Sequence, residues 1–171
     1  MGKPRTGKTT LVKKIVSQLK TPCGGFYTEE IIRGEKRVGF RIKTVDGKKG
    51  ILAMHNLRSE FRLGHYGINI KDLEKIAVKA VEEALENKQI IVIDEIGKME
   101  LVSQKFKDVV LRTLNSGKKV IGVIHSAPHE FLNSIRGRSD VEILEVEIGN
   151  HEEVLKRVSI LLQEFSKNNM I

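Results

Sequence analysis

Tryptophan is missing from this chain, and cysteine occurs once, at position 23. A lone cysteine excludes an intrachain disulfide framework, and with it the small stapled folds of secreted proteins. There is no apolar run of the ~18 residues that a membrane-spanning helix needs, and no charged-then-apolar leader. The expectation is a soluble protein of a reducing, cytoplasmic compartment with no membrane partner. Internal repeats, low-complexity tracts and linker-like segments are lacking too. With 171 residues and 40% apolar content, one hydrophobic core is expected and not two, so residues 1–171 read as a single domain.

Acidic residues are the scarcer sign of charge. Thirty Lys and Arg stand against 22 Asp and Glu, for a net +8. Much of the excess lies in "RGEKRVGFRIKTVDGKK" and in the lysines around Lys8. A nucleic acid, a nucleotide polyanion and a merely solvated basic surface all fit this balance. Abundant Lys, Glu and Ile give the composition a thermophilic lean.

The run "KTTLVKKIVSQLK" from Lys8 to Lys20 sets Leu11, Val12, Ile15, Val16 and Leu19 at helical spacing, and Thr-Pro-Cys-Gly-Gly ends it. The texture then changes. "GFYTEEIIR", "KRVGFRIKTV" and "KKGILAM" are β-rich runs joined by Gly34-Glu35 and Asp46-Gly47, which predicts a three-stranded antiparallel meander over about residues 24–54. A helix is predicted from Asp72 to Asn87 on the stripe of Leu73, Ile76, Ala77, Ala80, Val81, Ala84 and Leu85. After it come a buried strand "QIIVIDE", a helix "SQKFKDVVLRTLNSG", a second buried strand "KKVIGVIHS" and a short helix "PHEFLNSIR". A third strand, "VEILEVEI", and a closing helix capped by Asn150 complete the pattern. Strands separated by helices of this length predict a parallel sheet covered on both faces.

Gly2, Gly7, Lys8 and Thr9 match the phosphate-loop spacing G-x-x-x-x-G-K-[ST] and run directly into the first helix. Each residue type has a physical job. Gly2, Lys3, Pro4, Arg5, Thr6, Gly7, Lys8, Thr9 and Thr10 form the stretch that wraps phosphate oxygens, through the backbone N–H groups of all but Pro4. The Lys8 ammonium reaches the terminal phosphates, and the Thr9 hydroxyl is placed to ligate Mg²⁺. A Gly-rich turn capped by threonine is the plain alternative. Asp94 and Glu95 strengthen the nucleotide reading, since they end a buried strand about 85 residues downstream, where ligands bind in open α/β sheets. Asp94 then holds Mg²⁺ through water, while Glu95 orients or deprotonates the attacking water.

Taken in order, "GKPRTGKTTL", "GGFYTEEI", "RVGFRI", "GHYGIN" and "VIDEIGKMEL" resemble the nucleoside-triphosphatases first described from thermophiles, a family that includes the vertebrate cancer-related nucleoside-triphosphatase. "GFYTEE" and "DEIGKMEL" are the specific parts of the resemblance, which runs from Gly2 to about Asn150. It implies a three-layer α/β/α P-loop NTPase fold, its sheet mainly parallel, carrying an antiparallel meander insertion. It also implies Mg²⁺-dependent hydrolysis of ATP, GTP, CTP and UTP to the diphosphate and phosphate. Three departures stand out. Family members begin with a short apolar strand where this chain has only Met1, Arg5 stands where the loop usually has glycine, and an Asn-Arg pair is here Asn150-His151. The expectations for the first are a start shortened relative to the family, a shifted neighbouring strand, or a partner chain supplying the edge.

Several residues carry open alternatives. Lys98 falls near the phosphates by the resemblance, or is a surface lysine. Ser126, with His125, ends the second buried strand and either senses the terminal phosphate or begins a loop. Arg136 and Arg138, beside Gly137, either act on charge developing during transfer or are solvated. His55, His65 and His129 have no metal-ligand spacing with one another or with Cys23. A P-loop nucleotide or small-molecule kinase would use the same loop and acids. A basic RNA-binding module with nucleotide as ligand is the rival from another class, and nucleic acid is the less favoured partner.

Overall fold

Alternation of hydrophobic period along the chain becomes alternation of helix and strand in the computed structural model, which describes residues 1–3 and 6–168. Helix α1 (Lys8–Gln18) is followed by β1 (Cys23–Arg33), β2 (Lys36–Thr44) and β3 (Lys49–His55), the predicted meander. Gly34 and Gly47 turn its corners in the left-handed region at φ 59° and 96°, where a side chain would be strained. Two short strands, β4 (Arg62–Leu63) and β5 (Tyr66–Ile68), were not foreseen. The next helical run starts two residues before its predicted start at Asp72 and ends, as predicted, at Asn87. It comprises α2 (Ile70–Asp72), a π-helical stretch (Leu73–Val78) and α3 (Lys79–Asn87), and the Asn69 carboxamide caps it through Asp72 N–H at 3.1 Å. Then follow β6 (Ile90–Ile96), a 3-10 turn (Glu100–Val102), α4 (Gln104–Leu114), β7 (Lys119–Ile124), α5 (Glu130–Arg136) and α6 (His151–Asn168).

One sheet contains all seven strands in the order β4-β5-β3-β2-β1-β6-β7. The meander therefore belongs to the main sheet: β1 is antiparallel to β2 yet parallel to β6, with Tyr27 opposite Asp94. β6 and β7 are also parallel. Side chains leave β6 to two sides. Ile91 and Ile93 join Phe26, Leu73, Val81, Phe106 and Val110 in one core, while Ile90 and Val92 join Leu11, Val12, Ile15, Val123 and Val154 in another. That is a three-layer α/β/α arrangement, with α1 and α6 on one face and the remaining helices on the other. Burying each such aliphatic side chain contributes about 1.5–3 kcal/mol relative to exposure.

The third predicted strand is a correction. Residues 141–148 form no strand, because a strand exists only through its ladder and this stretch has almost no partner. The Met1 amino group donates to Leu144 O at 2.7 Å, and Val146 N–H donates to Met1 O at 2.7 Å, a single parallel rung. Ile143 nevertheless packs toward one core and Leu144 toward the other, as strand residues would. Between this stretch and β7 runs an apolar groove of about 400 Å³, lined by Leu11, Ile15, Val120, Ile124, Leu144 and Val146 among others. No strand precedes the phosphate loop among the described residues.

Candidate active site

The carboxyl ends of β6 and β7, with the middle of β1 where Tyr27 lies opposite Asp94, converge on the amino end of α1. Gly7 caps α1 at φ 79°, a conformation suited to glycine, and the first turn of the helix carries no acidic residue. Its free N–H groups and dipole favour an anion. Gly2 is needed for closeness: a Cβ there would sit 2.3 Å from Val146 O. Lys8 folds over the loop, and its ammonium donates to Gly2 O at 2.9 Å and to Lys3 O at 2.6 Å. Thr6 Oγ1 donates to Lys3 O at 3.0 Å. Thr9 is half-buried while Lys3 and Thr10 are exposed, and Pro4 and Arg5 fall outside the described residues.

Across from the loop, the Thr9 hydroxyl faces the Asp94 carboxyl and draws its pKa down. Asp94 is 1% exposed, and its Oδ2 is buried with no partner. Burial raises its pKa to about 7, against the pull of Thr9, Lys13 and Lys8. A buried, unpartnered carboxylate oxygen beside a hydroxyl is a hard oxygen donor set that fits a divalent cation. Glu95 follows across a cis peptide and is half-buried. Desolvation raises its pKa, while His125, Lys8 and the Met1 amino group draw it down, so these three face its carboxylate.

Other expected residues lie further out. Lys98 is exposed in the turn after β6, and Ser126 is exposed in the loop after β7. Arg136 reaches that loop but spends its donors on it, bonding His125 O at 2.7 Å and Ala127 O at 3.1 Å. Arg138 points elsewhere: it pairs with Asp140 at 2.6 Å and bonds Asn115 Oδ1 at 3.0 Å, at the end of α4.

Three residues at the site went unread in the sequence. His151, noted only as a departure from a resemblance, donates Nε2–H to Thr6 O at 2.6 Å and packs where a Gly7 Cβ would be. Lys13 pairs with Glu29 at 2.5 Å beside the buried Tyr27, so "GFYTEE" runs along the edge of the site. Glu100, 2% exposed, accepts Gly97 N–H at 3.1 Å. No spacing rule links these residues to the phosphate loop, and only the sheet brings them there.

A glycine-lined loop at a helix start, faced by acids at the end of a parallel strand, is the layout of a P-loop protein. Comparison with known families refines the class. A family model described as NTPase matches residues 1–159, and the chain belongs to this nucleoside-triphosphatase family. It is 47% identical over 162 residues to nucleoside-triphosphatase THEP1 of Thermotoga maritima, covering 95% of this chain and 92% of that one. It is 35% identical over 182 residues to the human cancer-related nucleoside-triphosphatase, covering 97% and 96%. The crystal structure of THEP1 from Aquifex aeolicus superposes with a TM-score of 0.85 at 38% identity, over 94% of this chain and 95% of that one. No helix among the described residues is long and apolar enough to cross a membrane.

Proposed function

We propose that this chain hydrolyses nucleoside triphosphates to the diphosphate and phosphate in a Mg²⁺-dependent reaction, with ATP, GTP, CTP and UTP as substrates. The observation that carries the reading is the placement of Glu95, beside Lys8 and opposite the amino end of α1. Loop N–H groups and the Lys8 ammonium bind the triphosphate, and Lys8 exchanges its two loop carbonyls for phosphate oxygens. Thr9 and Asp94 would hold Mg²⁺, which when bound supplies charge neutralisation at the phosphates. Glu95 orients a water in line with the terminal phosphorus and takes its proton. Lys8 and the loop amides meet the charge that develops. Broad base tolerance accords with a site whose polar groups all gather at the phosphate end.

Phosphate release from the four nucleotides, measured with and without Mg²⁺, tests this. Release from all four within about tenfold of one another, abolished by chelation, is expected. A phosphorylated acceptor in place of free phosphate, or turnover of one base alone, would contradict it.

A further inference from the structure

Glu100 is a buried acid with no part in the steps above. It opens the 3-10 turn that follows β6, and its Oε2 accepts Gly97 N–H at 3.1 Å, while Gly97 O accepts from Leu101 N–H at 3.1 Å. Both backbone groups of Gly97 are thereby fixed. Gly97 is also where two carboxyl groups meet: a Cβ on it would lie 2.6 Å from Glu95 Oε1 and 3.0 Å from Glu100 Oε2. The Glu95 side chain thus rests against a turn that Glu100 holds in place.

We propose that Glu100 is a positioning residue for hydrolysis, whose carboxyl group pins the Gly97 turn against which Glu95 is seated. The inference rests on the role proposed above for Glu95. Neutrality follows from the surroundings. Full burial raises the Glu100 pKa well above the usual carboxylate value, and the charges of Glu95 and Asp94 raise it further. Two ionised carboxylates around one glycine would repel, and Glu100, fully buried and faced by no cation, is the one that takes up the proton, whereas His125, Lys8 and the Met1 amino group keep Glu95 ionised. A protonated Glu100 leaves Glu95 the charge it needs. Glutamine has the same shape and is neutral, and its carbonyl oxygen can accept Gly97 N–H in the same way.

Kinetics with ATP and Mg²⁺ on Glu100→Gln, Glu100→Ala and Glu95→Gln decide the matter, together with the melting temperature of each. Glu100→Gln is expected to retain most of kcat. Glu100→Ala should lose about a hundredfold in kcat, with KM within about twofold, because the reacting geometry slips while nucleotide contacts persist. In an Asp94→Asn background, which removes the other buried acid, infrared difference spectra should show a protonated carboxylic-acid band that is lost when Glu100→Gln is added. If Glu100→Ala fails to fold, Gly97→Ala replaces it: the added methyl displaces the Glu95 carboxylate, and loss of kcat at an unchanged melting temperature is expected. The inference is overturned if Glu100→Gln is as inactive as Glu95→Gln, if Glu100→Ala or Gly97→Ala keeps full kcat, or if the infrared band survives when Glu100→Gln is added to Asp94→Asn. Should Glu95→Gln itself hydrolyse ATP at the parental rate, the reading of Glu95 fails and this inference with it; an inactive Glu95→Gln beside a fully active Glu100→Ala sinks the present inference alone.

Discussion

Asp94, Glu95 and Glu100 stand on or just after a strand paired on both sides, whereas the described loop residues from Gly2 to Gly7, ahead of α1, are tied to the carboxyl-terminal part of the chain. The acids have β1 and β7 as ladder neighbours and the core of Ile91, Ile93, Phe26 and Phe106 beneath them. The loop is tied by the rung from Met1 to Leu144 and Val146, by His151 on Thr6 O, and by its own Lys8. Beside it lies the apolar groove along β7. Half of the site is therefore built into the core, and the other half is held by a few hydrogen bonds between distant parts of the chain. The first half should answer to packing and burial, the second to single polar contacts.

The largest effect tests the packed half. Phe106 is fully buried and meets Phe26 edge-on with ring centroids 6.1 Å apart. Truncation of Phe106 to alanine should cost about 3–5 kcal/mol of stability in urea unfolding, whereas an equal loss from substituting a loop residue would erase the contrast.

Next comes a pH dependence that burial alone creates. Folding raises the Asp94 pKa from the ordinary 3.8 to about 7, so the folded chain retains a proton that the unfolded chain has released. Stability from this group is fully present below the unfolded value and is lost as pH rises toward the folded one. In the absence of metal and nucleotide, the urea midpoint should fall between about pH 4 and about pH 7, and Asp94→Asn should flatten that slope. A midpoint that climbs over the same range in the parent, and not in the variant, would mean that Asp94 is charged in the fold.

The smallest effect belongs to the tethered half. His151→Ala removes one hydrogen bond from Thr6 O, worth about 1 kcal/mol, so KM for ATP should rise about fivefold with little change in kcat or melting temperature. A collapse of melting temperature instead would place His151 in the framework and not in the tether.

The same division explains what could be read from the sequence. The helices, the meander and both buried strands of the β6–β7 pair were legible, because period, turn dipeptides and apolar runs are local signals. The convergence of Gly2, Gly7, Lys8 and Thr9 with Asp94 and Glu95 was legible, because a loop spacing before a helix and an acid pair ending a buried strand are local patterns. Residues 141–148 have the composition of a strand and are not one, since a ladder depends on a neighbour that local pattern does not report. Glu100 and His151 escaped for a related reason: a buried glutamate and a helix-start histidine become informative only once the fold sets them against Gly97 and Thr6. The environment of Arg138, at the end of α4, was equally invisible in "SIRGRSD".

Division of labour between the two halves is tested most directly by measuring ATP binding and phosphate release side by side on Glu95→Gln. Binding close to that of the parent, with release slowed about 10²–10⁴-fold, is the result predicted by the proposed roles, in which the loop half binds and the acid half does the chemistry. Release at the parental rate, or binding lost together with release, would contradict the account.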